Sequence, residues 1–251
     1  MPLSDQAPGY SRHVRGLAMF VTGYAIVDLL PVVLPGTPVF KGLRISDLAD
    51  LALLFVLAAL YVQLGLRANL YRSGKLRVAF ATALAMMVQG HSIHRAGDAI
   101  AAASSRADGG WALIYFLDEH WGHLELHLSF LIIAALFIGC ARPVSADLSG
   151  RPLSRTEMAG LRILIMIYGF LLAGDAIEGQ TVQLMLPAAI ALSLWGFWPY
   201  LRYIKRPTQP VVSLYRRFFA SSFAVATVAL VVYGLVNAGF PELTALGSAA
   251  R

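Results

Sequence analysis

Five of the chain's six histidines fall between residues 89 and 127, in the order His91, His94, His120, His123 and His127. Carboxylates are interleaved with them: Asp98 follows the first pair, Asp118 and Glu119 precede His120, and Glu125 lies between His123 and His127. Imidazole and carboxylate together form a donor set for zinc, iron or manganese, and a catalytic zinc site takes three such ligands and keeps a further position open. On an α-helix, residues at i, i+3 and i+7 share one face. His91, His94 and Asp98 have that spacing, and so do His120, His123 and His127. Two antiparallel helices with a short connection would each present a three-ligand stripe, which is how helical bundles build inward-facing metal sites.

Asp175 and Glu178 add an i, i+3 carboxylate pair from a further helix, so the candidate metal ligands are His91, His94, Asp98, His120, His123, His127, Asp175 and Glu178. Asp118 and Glu119 are the candidate catalytic residues, as a general base for a metal-activated water or as partners that fix a histidine tautomer. Being consecutive, their side chains point about 100° apart on a helix and do not face one metal equally. Two other readings of the cluster stay open: a proton-linked polar network without a metal, and haem ligation or plain structural polarity. The single cysteine, Cys140, excludes thiolate clusters and intrachain disulfides, and there is no Cys-x-x-Cys-His attachment motif. Phosphate-binding glycine loops, a Gly-x-Ser-x-Gly elbow and a His-Glu-x-x-His motif are also missing, since Glu119 precedes His120 rather than following it.

The elements that must position these groups are set by composition. Of 251 residues, 58% are hydrophobic and only 14% charged, with mean hydropathy +0.66, which departs from an ordinary soluble domain with a quarter of its residues charged. The apolar residues come in blocks long enough to cross a hydrocarbon core, for which a helix needs about 20. Seven spans are expected, at about 17–36, 47–66, 78–100, 113–140, 158–179, 182–204 and 217–240. The chain therefore reads as a single all-α integral membrane domain over residues 1–251, multi-pass in the cell membrane.

Fifteen of the 20 Lys and Arg residues fall in the amino-terminal tail and around the connections after spans two, four and six. By the positive-inside rule that side is cytoplasmic, which puts the N-terminus inside, the C-terminus outside and both histidine stripes in the outer part of the membrane. The +6 net charge is thus a topogenic signal, not a footprint for nucleic acid. Trp111, Tyr115, Phe116 and Trp121 would mark the outer interface, and Trp195, Trp198, Tyr200 and Tyr203 the inner one. The Ala-rich stretch from 99 to 103 and the following Ser104, Ser105, Gly109 and Gly110 are expected to form an outer loop that covers the site.

Seven spans, a Ser92/His94 pair near a helix end and a following Asp118-Glu119 resemble the CREST membrane metallohydrolases, which include the alkaline ceramidases and the progestin and adiponectin receptors. The resemblance covers about 40 residues and the helix count. It implies a zinc ion held by histidines, with His94 a ligand and Asp118 the acid beside it, and hydrolysis of lipid amides. Those families carry a His-x-x-x-His pair on the last helix, whereas here the corresponding pair, His123 and His127, lies on the fourth.

Two function classes follow. One is a metal-dependent hydrolase acting on an ester or amide of a lipid-like substrate that enters from the outer leaflet. The other is a divalent-metal transporter or metal-handling membrane protein, with His94, Asp98, His123 and His127 as a four-ligand site. The inner halves of spans two and four are almost wholly apolar, which favours a one-sided site. A metal-dependent oxygenase is a third class, disfavoured because its reducing partner would usually be cytoplasmic.

Overall fold

The structure is a computed structural model that describes residues 10–34, 37–40, 43–103, 110–142, 153–203 and 213–241. Seven long helices occupy nearly all of these residues. They are α1 (Ser11–Val33), α2 (Ile45–Arg67), α3 (Gly74–Ala103), α4 (Trp111–Cys140), α5 (Arg155–Glu178), α6 (Val182–Tyr203) and α7 (Leu214–Val236). Six of them are long and apolar enough to cross a membrane. The seventh, α3, is 30 residues long but fills its second half with Gln89, His91, Ser92, His94, Arg95 and Asp98. The expected outer loop at 104–109, the tail before Tyr10 and the last residues of the first and sixth expected spans lie outside the described residues.

Two local features depart from a plain run of helices. A short antiparallel pair, β1 (Pro38–Phe40) and β2 (Leu43–Arg44), joins α1 to α2, and the Arg44 N–H donates to Asp47 Oδ2 at 2.8 Å at the start of α2. Within α4, residues Phe116–Gly122 wind as a π-helix before the α-helix resumes at His123. Its i→i+5 hydrogen bonds bring residues five apart onto a shared face, which an α-helix does not do. The start of α5 is capped as its sequence Ser-Arg-Thr-Glu suggests. Ser154 Oγ accepts from the Glu157 N–H at 3.2 Å, and Glu157 Oε2 accepts from the Ser154 N–H at 2.9 Å.

Successive helices run in opposite directions, so the basic helix ends meet at one end of the bundle and the histidines gather at the other. At the basic end, Arg67 donates to Arg12 O at 3.0 Å, Arg72 to Cys140 O at 2.7 Å and Arg216 to Trp195 O at 2.6 Å. Between the two ends the core is aromatic. Phe20, Tyr61, Tyr168, Phe218, Phe219 and Phe137 are fully buried, and Phe20 meets Tyr61 and Tyr168 at ring-centroid distances of 4.8 and 5.3 Å. Phe137 stacks on Phe219 at 4.5 Å and 15°. Tyr61 and Tyr168 satisfy each other through a 2.9 Å hydroxyl–hydroxyl bond, as buried phenols require.

Glycine sets how closely α3 and α4 approach. A Cβ on Gly90 would lie 2.6 Å from the Leu126 backbone nitrogen and 2.8 Å from Gly122 O. Both are backbone atoms that no side-chain rotation moves aside, so only glycine lets these helices touch here, as in close packing of membrane helices generally.

Candidate functional site

Between the aromatic core and the histidine end lies a cavity of ≈ 200 Å³. α3 and α4 supply His91, His94, Arg95, His123 and His127 to its wall; α1 and α2 supply Tyr24, Asp28 and Asp50; α5 supplies Asp175 and Glu178. Val27, Leu54, Leu57, Leu126 and Phe130 complete the lining with apolar surface. Four carboxylates thus face a single guanidinium across the lining, which suits a cationic guest unless histidines carry protons.

The three-ligand stripe of α3 divides into two rows. His91 and Arg95 turn toward α2: His91 Nε2 is 3.1 Å from Asp50 Oδ1, and the Arg95 Nε–H is in direct contact with Asp50 Oδ2. Asp50 is 3% exposed, so the Arg95 guanidinium compensates a buried charge. His94 turns instead toward α4, where its Nδ1 meets Asp118 Oδ1 at 2.5 Å. Asp98 completes the second row, 3.9 Å from His94 Nε2, with its Oδ2 accepting from Arg95 Nη1 at 2.8 Å.

The π-turn decides what α4 offers in return. At about 100° per residue, Asp118 and His123 would stand far apart around an α-helix. The wider winding puts both beside His94, whose ring is 4.2 Å from that of His123. The same winding carries His120 away. His120 is exposed and packs its ring against Tyr115 and Phe116 at 5.7 and 6.1 Å, so it does not join His123 and His127 in the cavity. Glu119 is half-buried and also lies off the cavity lining.

His123 and His127 stack one turn apart at 6.1 Å and 19°. The turn between α5 and α6 closes over them: a Cβ on Gly179 would lie 2.7 Å from His123 Nδ1 and 2.8 Å from His127 Cε1. Gln180 follows with φ of 51°, and Thr181 then places its hydroxyl 2.6 Å from His127 Nδ1. On the α1 side, the Tyr24 hydroxyl donates to Asp175 Oδ2 at 2.5 Å.

Of the sequence-expected ligands, the cavity thus gathers His91, His94, His123, His127, Asp175 and Glu178; it leaves Asp98 at the edge and His120 outside. Asp118 stands behind His94 as its hydrogen-bond partner. Tyr24, Arg95 and Thr181 were not among the expected site residues. Arg95 lies four residues after His91 and Tyr24 four before Asp28, spacings that could have marked them.

The arrangement of nitrogens bears on metal binding. Asp118 engages Nδ1 of His94, and Thr181 engages the same ring position of His127. Metal-binding histidines are held in this way, through the nitrogen that does not bind the metal. Among the described residues, however, no three His, Cys, Asp or Glu side chains converge as a closed ligand sphere. The donor types and the engaged Nδ1 positions fit a metal, while the sphere itself is not closed.

Comparison of the chain with protein families, with characterised proteins and with solved structures finds no match.

Proposed function

We propose that this is a seven-span protein of the cell membrane, N-terminus inside and C-terminus outside, that holds a divalent transition metal in the outer half of its bundle. Zinc suits the donors first, with iron or manganese as alternatives. The ligands are His94, His123 and His127, with Glu178 across the cavity and Asp175 and His91 on its far walls. The reaction is hydrolysis of an ester or amide in a lipid-like substrate, the class that the CREST resemblance also implies.

The observation that carries this reading is that Nδ1 of His94 and Nδ1 of His127 are each engaged by a side-chain partner, which leaves Nε2 as the atom either ring can offer a metal. When bound, the metal supplies Lewis acidity and a water acidic enough to attack near neutral pH. Asp118 orients His94 rather than acting as the base, because its Oδ1 is engaged. Glu178, on the cavity wall, is the carboxylate placed to take the proton from the attacking water. Arg95, held by Asp50 and Asp98, fixes the α2 wall.

The aromatic core separates this reading from a metal carrier. Below His127 come Phe130 at 6.1 Å, then Tyr61 at 6.4 Å from Phe130, then Phe20 at 4.8 Å from Tyr61, all packed ring to ring. A carrier needs a polar route through this layer, where the phenols of Tyr61 and Tyr168 are bonded to each other.

Elemental analysis of the full chain, purified in detergent without chelators, is the test. About one equivalent of a transition metal is expected, falling severalfold in His123→Ala and in His94→Ala. Less than about a tenth of an equivalent after incubation with zinc, iron or manganese would overturn the metal reading.

A further inference from the structure

A cavity of ≈ 200 Å³ is smaller than pockets that enclose a whole ligand, which start at about 300 Å³. A lipid-like substrate can therefore place only its reacting group there, and its chain must lie elsewhere. A second concavity, of ≈ 410 Å³, runs along the seam between α1 and α5. Val21, Ala25, Leu29 and Val33 on α1 face Leu164 and Ile167 on α5, and Thr22 supplies its single polar side chain. Its rim is open: Leu29 is 54% and Val33 75% exposed, on a helix apolar enough to cross a membrane.

Groove and cavity are built on the same two helices. Tyr24, Val27 and Asp28 face the cavity from α1, while Val21, Ala25 and Leu29 face the groove from the adjoining strip of that helix. The Tyr24–Asp175 hydrogen bond crosses the same α1/α5 seam and marks where the polar and apolar compartments adjoin. Resting on the hydrolase reading above, we propose that this groove seats one acyl chain of the substrate while its ester or amide group reaches the cavity past Asp28. The chemistry named is that of a membrane lipid with a saturated hydrocarbon chain, entering sideways from the bilayer rather than from water.

The test uses the full chain reconstituted in phosphatidylcholine nanodiscs doped with a phosphatidylcholine that carries a diazirine in one acyl chain. After illumination, labelled peptides are mapped by mass spectrometry. Labelling of 21–33 and 164–167 should exceed that of Val228, Val232 and Leu235, equally exposed apolar positions on α7, by severalfold. Ala25→Trp, which fills the groove, should remove the excess and leave labelling of α7 unchanged. Thr22→Trp at the exposed rim serves the same purpose if Ala25→Trp does not fold. Equal labelling of α1 and α7, or an excess that survives both fillings, would overturn the proposal. Labelling needs no turnover, so an excess without lipid hydrolysis would remove the hydrolase reading and keep the lipid seat. Hydrolysis without an excess would do the reverse.

Discussion

The two halves of the bundle solve opposite problems with the same seven helices. Toward the basic end, Phe20, Tyr61, Tyr168, Phe218, Phe219 and Phe137 interlock, and their two phenol hydroxyls bond to each other. Toward the histidine end, nine ionisable side chains besides Tyr24 surround open volume, and most of them meet a partner from another element. One half contributes cohesion through dispersion and ring packing. The other accepts an energetic cost, because buried ionisable groups are expensive unless they are paired. The difference teaches that stability and chemistry are separable here, so each half can be damaged without the other.

Arg95→Met should do the most harm. It strips Asp50 of its principal cation at 3% exposure, and breaking one partner of such a pair costs about 3–5 kcal/mol. Thermal unfolding in detergent would register it, and adding Asp50→Leu should recover most of the loss, because an apolar pair replaces the charged one. No recovery would mean that the polar half holds the fold together rather than burdening it. Phe219→Ala should cost about 3 kcal/mol through the void left among stacked rings, yet keep metal content at the unmutated level. A fall in metal content would break the separation between halves. Smallest is Tyr61→Phe, expected to lose about 1 kcal/mol with the hydroxyl pair to Tyr168 and nothing at the cavity.

Much of the fold was legible because apolar length and helix caps are local properties. The seven expected spans overlap the seven helices, and the Ser-Arg-Thr-Glu start of α5 is capped as its residues suggest. The i, i+3, i+7 stripes correctly marked one neighbourhood, since His91, His94, His123 and His127 all reach one cavity. What spacing could not reveal was which neighbour each residue would meet. His91 and His94 share a face of α3, yet Asp50 of α2 draws one and Asp118 of α4 the other. His120 lies off the cavity because the stripe assumed uniform α winding, whereas Phe116–Gly122 winds as a π-helix. Tyr24 and Thr181 look like an ordinary core phenol and an ordinary helix start until α5 is folded against them.

The π-turn also determines which kind of genetic change could make or unmake this site. Its register is a matter of residue number rather than residue identity. Deleting one residue between 116 and 121 would let the segment wind as a continuous α-helix from Trp111, with its apolar length and every ligand intact. Asp118 would then swing off His94, and a helix of nearly unchanged composition would be left as a membrane anchor. Substitution scans would rank these seven positions by side chain and miss this, whereas a scan of single deletions would find the site's most sensitive point in a stretch that tolerates many exchanges.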